Sequence, residues 1–483
     1  MSLLPALTAH SLRPVSLHDP LEAFERLRGC GFPWLLDSAL QGGRLGRYSF
    51  AGADPYAVIR ARGDQVEIEW RREVWDGSPV GRVVHRQPAL EAVRSWLPSL
   101  PADHASPIPF VGGAVGYLGY ELAEQLDTHE LDGRDDLGLP DLVLLLCDAL
   151  LAFDHETDQA WVSALGFASA SEPAERRART RARVFEDLLS KPHPSASPAA
   201  APRATTEWKV DGPEPARHRK SIDEILEEID SGNVYQACLT ARWEADFAGD
   251  PWSLYQNLRR TNPAPFAGYL ELPEVAIASS SPERFLRADP GRRVESRPIK
   301  GTAPRGRHPE EDDKNRQHLE ASAKDRAENL MIVDLVRNDL GRVCEYGSVR
   351  VPSLLATEPH PGLFHLVSTV EGRLYPGMGW PELLAATFPP GSITGAPKLA
   401  AIDVIHRLET APRGVYCGGV GWVDADAGRG ELNVAIRTFW IEDGLLHFGT
   451  GGGITYDSTP EGEWEETELK ARRLLEVASR GPA

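Results

Sequence analysis

Lys300 lies in the run Arg297-Pro298-Ile299-Lys300-Gly301-Thr302-Ala303-Pro304-Arg305, between a rigid proline and a Gly-Thr pair. A lysine amine attacks carbon only when deprotonated, and burial is what drives an ammonium toward the amine. Downstream lie two pairs of acids. Asp325 and Glu328 are three apart in Lys324-Asp325-Arg326-Ala327-Glu328, and Glu463 and Glu466 repeat that spacing in Glu463-Trp464-Glu465-Glu466-Thr467. On a helix, residues so spaced share one face. Four carboxylates converging from two helices suit a hard cation such as Mg²⁺, which keeps waters and shares its shell with substrate oxygens. Acids at the first turn of a solvated helix would show the same spacing, because the helix dipole favours them there.

Other segments carry weaker signals. Gly451-Gly452-Gly453 follows a strand-like run, and three glycines let backbone N–H groups approach an anion as a nest. In Pro389-Pro390-Gly391-Ser392-Ile393-Thr394-Gly395-Ala396-Pro397-Lys398 the reading is a loop entering a helix, with Thr394 or Ser392 as cap. His365 sits in an apolar, strand-like stretch. Arg437 is read as projecting from the apolar strand around Ala435-Ile436-Arg437-Thr438, where a partly buried guanidinium needs an anionic partner.

These residues need a large scaffold. The chain has 483 residues, 41% hydrophobic and 25% charged, which reads as an ordinary globular protein. Its net charge of −19 argues against nucleic acid or an anionic membrane as partner. Five cysteines without CxxC spacing fit reduced thiols. The first twenty residues have no basic start followed by an apolar core, and the most apolar run, 142–153, is too short to span a bilayer. The expectation is a soluble, cytoplasmic protein.

A Pro/Ala/Ser-rich stretch over 191–212 predicts a linker or loop. It divides a β-rich N-terminal region (1–190) from a catalytic region (213–483). Strand-like runs are expected at 65–70, 109–116, 141–153, 159–164, 237–247, 266–271, 418–423, 432–440 and 445–449. Helices are expected at 221–231, 251–261, 314–338, 380–388, 396–409 and 460–479. Without a regular βαβ rhythm, the fold class is α+β with large antiparallel sheets.

In combination and in order, the segments resemble the chorismate-utilising enzymes. The set is Ser281-Pro282-Glu283-Arg284-Phe285, Pro298-Ile299-Lys300-Gly301-Thr302, Asp325-Arg326-Ala327-Glu328-Asn329-Leu330, Arg337-Asn338-Asp339, Thr394-Gly395-Ala396-Pro397-Lys398, Ala435-Ile436-Arg437-Thr438, Gly451-Gly452-Gly453, and Glu466-Thr467 with Lys470. The resemblance implies the sandwich of antiparallel sheets, with helices outside, of anthranilate synthase component I. It implies Mg²⁺ on Glu328 and Glu466 with Asp325 and Glu463 in support. Arg437, Lys470, Tyr416 and Gly451 to Gly453 would hold the second carboxylate and the enolpyruvyl group, and Thr302 and His365 would position the ring beside Gly301 and Thr394. Glu283 is implied as general acid at C4, and Lys300 as nucleophile at C2.

The segment Asn233-Val234-Tyr235-Gln236 carries glutamine where water-adding members carry a lysine base, which leaves ammonia as nucleophile. Pro-Ile-Lys-Gly-Thr and Asn262-Pro263-Ala264-Pro265-Phe266 look like the aminodeoxychorismate type, with anthranilate formation or a silent binding protein as alternatives. A separate glutamine amidotransferase is the implied ammonia source. Leu36-Asp37-Ser38, with Pro265 and Phe266, is similar to the segment that binds tryptophan in some members.

Overall fold

The computed structural model describes residues 7–17, 19–40, 45–96, 106–126, 135–190, 209–211, 214–425 and 428–479. Two sheets of twelve strands each, paired antiparallel throughout, form the body. In one sheet the order runs Leu7–Val15, Gln159–Phe167, Ala149–Asp154, Tyr48–Gly52, Trp34–Asp37, Phe266–Glu271, Ala276–Ser281, Thr438–Glu442, Leu445–Ile454, Gln236–Asp246 and Lys209–Asp211, with Gly395–Ala396 added onto Gln236–Asp246. In the other it runs Ile299–Pro304, Leu363–Arg373, Arg293–Arg297, Arg284–Asp289, Gly430–Asn433, Gly419–Asp424, Gly113–Leu118, Leu142–Cys147, Ala57–Arg62, Gln65–Trp70 and Gly81–Arg86. Arg350–His360 pairs with Leu363–Arg373 beside that path.

The sheets pack face to face through aromatic side chains that fill the space between them. Trp422 of the second sheet meets Phe50 of the first at 5.8 Å between ring centroids and stacks on Phe110 at 4.8 Å. Helices cover the outside with narrow apolar stripes. Ala174–Ser190 is strongly charged, yet Ala178, Ala182, Phe185 and Leu189 recur every three or four residues and are buried against the first sheet. Each large apolar side chain so buried contributes roughly 1.5–3 kcal/mol.

Several expectations are corrected. Helix 314–338 is two helices, Pro309–Ala321 and Ala323–Gly341; Ser322 leaves helical geometry and caps the second by accepting from the Asp325 N–H. Run 141–153 is two strands, Leu142–Cys147 in the second sheet and Ala149–Asp154 in the first, with the chain crossing between the sheets at Asp148. Run 432–440 is not one strand: Gly430–Asn433 belongs to one sheet and Thr438–Glu442 to the other. The crossing between them holds Arg437 at φ 51°, so Arg437 stands in a turn and not on an apolar strand. Residues 191–208 and 212 of the expected linker lie outside the described residues, and 209–211 pair as a strand with 242–244. The division near residue 190 does not separate the sheets. Trp34–Asp37 pairs with Phe266–Glu271, and Gly113–Leu118 pairs with Gly419–Asp424.

Candidate functional site

The strand Ile299–Pro304 carries Lys300 and ends up beside both acid-bearing helices. Gly301 has φ 88°, and a side chain there would meet the Asp325 Cβ at 2.9 Å. Only glycine combines that backbone with so close an approach. Asn329, fully buried, secures the strand: its amide donates to the Leu366 carbonyl (3.0 Å) and toward that of Lys300 (3.5 Å), while Ser368 donates to its oxygen (2.5 Å). Thr302 lies opposite His365 in the ladder.

The glycine triplet corrects the expected nest. Leu445–Ile454 continues through Gly451, Gly452 and Gly453 as a strand paired with Thr240, Leu239 and Cys238. What the glycines provide is room. A Cβ on Gly453 would fall 2.1 Å from Gln236 Nε2 and 3.3 Å from Lys300 Nζ; one on Gly452 would fall 2.9 Å from Glu463 Oε2 and 3.8 Å from Glu466 Oε1. The lysine, the glutamine and the second acid pair therefore all border one stretch of bare backbone.

Charges in this space act on each other. Burial pulls the Lys300 ammonium down, but Cys238, Glu328, Glu283 and Glu466 outweigh it and hold its pKa above the ordinary lysine value. Burial pushes Glu328 up against the opposing pull of Lys300 and Lys324. Glu466 is held low despite its own desolvation, chiefly by Lys470, whose ammonium stands 2.6 Å away and also donates to the Gly451 carbonyl at 2.8 Å. Lys324 faces all four acids and lies 3.6 Å from Glu463, which accepts from Ser458 at 2.6 Å.

Among the described residues, no three acids stand close enough to cage an ion by themselves. The donor set nevertheless suits Mg²⁺. It is all oxygen, it opens over Gly452, and Mg²⁺ takes one or two carboxylates while completing its shell with waters and substrate oxygens.

Glu283 is buried, and desolvation pushes its carboxyl up to about 7, against the Ser392 hydroxyl, Lys300 and the Ile299 N–H. A carboxyl so poised is protonated often enough at neutral pH to donate. On the other side, burial and Arg437 together hold His365 well below the ordinary histidine value, so it is neutral. Arg437 faces its Nε2 at 3.5 Å, which leaves the ring proton on Nδ1, 3.3 Å from the Thr302 hydroxyl. Arg437 itself is pushed down to about 10, first by burial and then by Arg473. Its hydrogen-bond partners, Asn262 and His365, are both neutral. A half-buried guanidinium so placed suits an anion.

The remaining expected residues are placed as follows. The Tyr416 ring packs on Gly449, on the same strand as the triplet. Thr394 is fully buried and points its hydroxyl at the Pro390 and Gly391 carbonyls (both 3.3 Å). Neither Thr394 nor Ser392 caps the following helix, Lys398–Leu408. Gly395–Ala396 is extended against Gln236–Ala237, so the helix starts later, behind Pro397. Leu36 and Asp37 lie opposite Gly268 and Ala267, next to Phe266 and Pro265. The Asp37 carboxylate already accepts from Arg259 (2.5 Å), Tyr255 (3.0 Å) and Ser49 (3.3 Å), and Ser38 donates to the Tyr48 carbonyl.

Three contributors were missed from the sequence. Cys238 lies 3.8 Å from both Lys300 Nζ and Gln236 Nε2. Period-two alternation puts it on the same strand face as Gln236, which was the available signal. Ser392 reaches Glu283 only through tertiary folding. Arg413, buried with Glu409, bonds the carbonyls of Cys238 and Ile393 (2.8 Å each) and so clamps two site segments together.

With this geometry in view, residues 35–476 match the model of the chorismate binding enzyme family. An aminodeoxychorismate synthase of Streptomyces griseus is 39% identical over 95% of this chain, and the chain spans 62% of that protein's length. Aminodeoxychorismate synthase component 1 of Salmonella typhimurium is 36% identical, with 89% of each chain covered. The crystal structure of anthranilate synthase component I from Streptococcus pneumoniae superposes with a TM-score of 0.75 at 28% identity, covering 90% of this chain and 93% of that one. Among the described residues, no helix is long and apolar enough to cross a membrane.

Proposed function

The chain belongs to the chorismate binding enzymes, and on that premise we propose that it aminates chorismate at C4 with ammonia, giving 4-amino-4-deoxychorismate. The observation that carries the reading is the coupling of Lys300 to Glu283. A nucleophile and a proton donor share one buried space, and each shifts the other's proton affinity. The activity named for the Streptomyces griseus and Salmonella typhimurium relatives supports the same chemistry.

Chorismate is a dianion, and this chain carries net charge −19, so local cations must receive it. Arg437 and Lys470 take the second carboxylate and enolpyruvyl group, and neutral His365 with Thr302 orients the ring. Mg²⁺ on Glu328 and Glu466, with Asp325 and Glu463 beside them, would supply the positive partner for the ring carboxylate and offset the acids that hold the Lys300 proton. Glu283 gives its proton to the C4 hydroxyl, which leaves as water. The Lys300 amine attacks C2 with allylic displacement. Ammonia then attacks C4 and expels Lys300. The "component 1" in the Salmonella relative's name supports a second component, here a glutamine amidotransferase supplying that ammonia.

The test is product identity. The protein is incubated with chorismate, MgCl₂ and ammonium chloride, with and without aminodeoxychorismate lyase. The expected product is 4-amino-4-deoxychorismate, with 4-aminobenzoate appearing only when lyase is added. Anthranilate and pyruvate without lyase would overturn the assignment in favour of ortho amination. No turnover in either arm would favour a silent binding protein.

A further inference from the structure

Beside Glu283, against helix Ala323–Gly341, lies a cavity of ≈ 10 Å³, counted as the space open to the centre of a water-sized molecule. That is room for about one water-sized molecule. Every residue around it is buried. Its wall is apolar where Val336 and Leu340 of helix Ala323–Gly341 face it, together with Phe285 and Val434. Its polar wall comprises Glu283, Ser296, Thr387, Ser392 and Asp339, whose carboxylate is paired with Lys398. The Ser392 hydroxyl is 94% buried by its 6% exposure; it lies close enough to Glu283 to oppose the rise in that carboxyl's pKa, yet forms no well-aligned hydrogen bond. A buried hydroxyl left so is costly unless something small completes it.

We propose that this cavity is the pocket that holds the ammonia nucleophile against C4. The proposal rests on the amination reading above. Ammonia brings three N–H donors and a single lone pair. Donors turned to the Glu283 carboxylate and the Ser392 oxygen leave the lone pair for the ring. In the step itself, the lone pair forms the C4–N bond while the C2–N bond to Lys300 breaks, its electron pair returning to the Lys300 nitrogen through the shifting ring double bonds. The surplus proton on the new C4 nitrogen passes to Glu283, which had given its own to the departing hydroxyl. Glu283 thus ends the cycle protonated, as it began.

Volume is the lever for the test, applied at Val336, which touches no reacting group. Val336→Ile adds a methylene to a space that holds one small molecule. Val336→Ala enlarges it. With ammonium chloride as nitrogen source, Val336→Ile should raise the KM for free ammonia at least tenfold while the KM for chorismate stays within twofold. Val336→Ala should accept methylamine, giving an N-methylated product by mass spectrometry that the unaltered protein does not make. An unchanged ammonia KM in Val336→Ile, or parallel rises in both KM values, would overturn the pocket and leave a cavity that holds only structural water. If Val336→Ile does not fold, the methylamine product of Val336→Ala decides, and its absence overturns the proposal. Failure of the unaltered protein to aminate chorismate would instead sink the amination reading, so the two failures are distinct.

Discussion

Replacing Glu283 with glutamine separates what this residue does for catalysis from what it costs the fold. The carboxyl ionises at about 7 in the folded chain, against 4.5 when free of burial. That difference corresponds to about 3 kcal/mol. The sign follows from proton counts. Between pH 4.5 and 7 the unfolded chain has released this proton and the folded chain still holds it, so stability falls as pH rises through that window and levels off above it. Glutamine cannot ionise and escapes the loss. Chemical denaturation of both proteins at pH 4.5 and pH 8 should therefore show Glu283→Gln gaining about 3 kcal/mol relative to the unaltered protein on going to the higher pH. Effects of the substitution that do not depend on pH cancel in that comparison. Chorismate consumption should meanwhile fall by about 10²–10⁴-fold, the usual contribution of a positioned general acid. A relative stability that does not change with pH would refute the claim that burial holds this carboxyl protonated. Activity within tenfold of the unaltered protein would refute its role as the acid.

Two further outcomes are expected. Lys300→Ala should lose the chorismate-dependent mass increase seen on the intact protein without ammonia, and in the unaltered protein that adduct should form faster as pH rises to about 7 and level off above it, where loss of the Glu283 proton offsets the gain in Lys300 amine; an adduct persisting in the variant would move the nucleophile elsewhere. Gly452→Ala places a methyl 2.9 Å from Glu463 Oε2, so the Mg²⁺ concentration for half-maximal activity should rise at least tenfold with the circular dichroism spectrum unchanged, whereas an unaltered Mg²⁺ response would remove Glu463 from the metal site.

The sequence was most legible where local periodicity sets structure. Helix Pro460–Ser479 and strand Phe266–Glu271 have the bounds the pattern predicts. It was least legible where one residue redirects the chain. Ser322 breaks an otherwise continuous helical pattern because its side chain satisfies an N–H better than another turn would. Around Arg437 the apolar pattern runs on without interruption, yet the chain changes sheets there, and nothing in a period-two pattern marks such a crossing. The sequence of the glycine triplet suggests its N–H groups, but its value lies in the side chains it lacks, and that shows only with Gln236, Lys300 and Glu463 set against it. Ser392 entered the site through contacts between segments far apart in the chain, which no local reading captures, while Cys238 offered only its alternation with Gln236 as a signal.

The interleaving of the two sheets also sets a timetable for the ribosome. Trp34–Asp37 emerges early but must wait for Phe266–Glu271, and Gly113–Leu118 must wait for Gly419–Asp424. Until those partners are synthesised, each early strand presents an unpaired edge, the kind of surface on which nascent chains associate wrongly. Neither sheet can close before most of the polypeptide is made, so the active site arises in one late step. A chain that terminates before those later strands leaves one edge of each early strand without its partner.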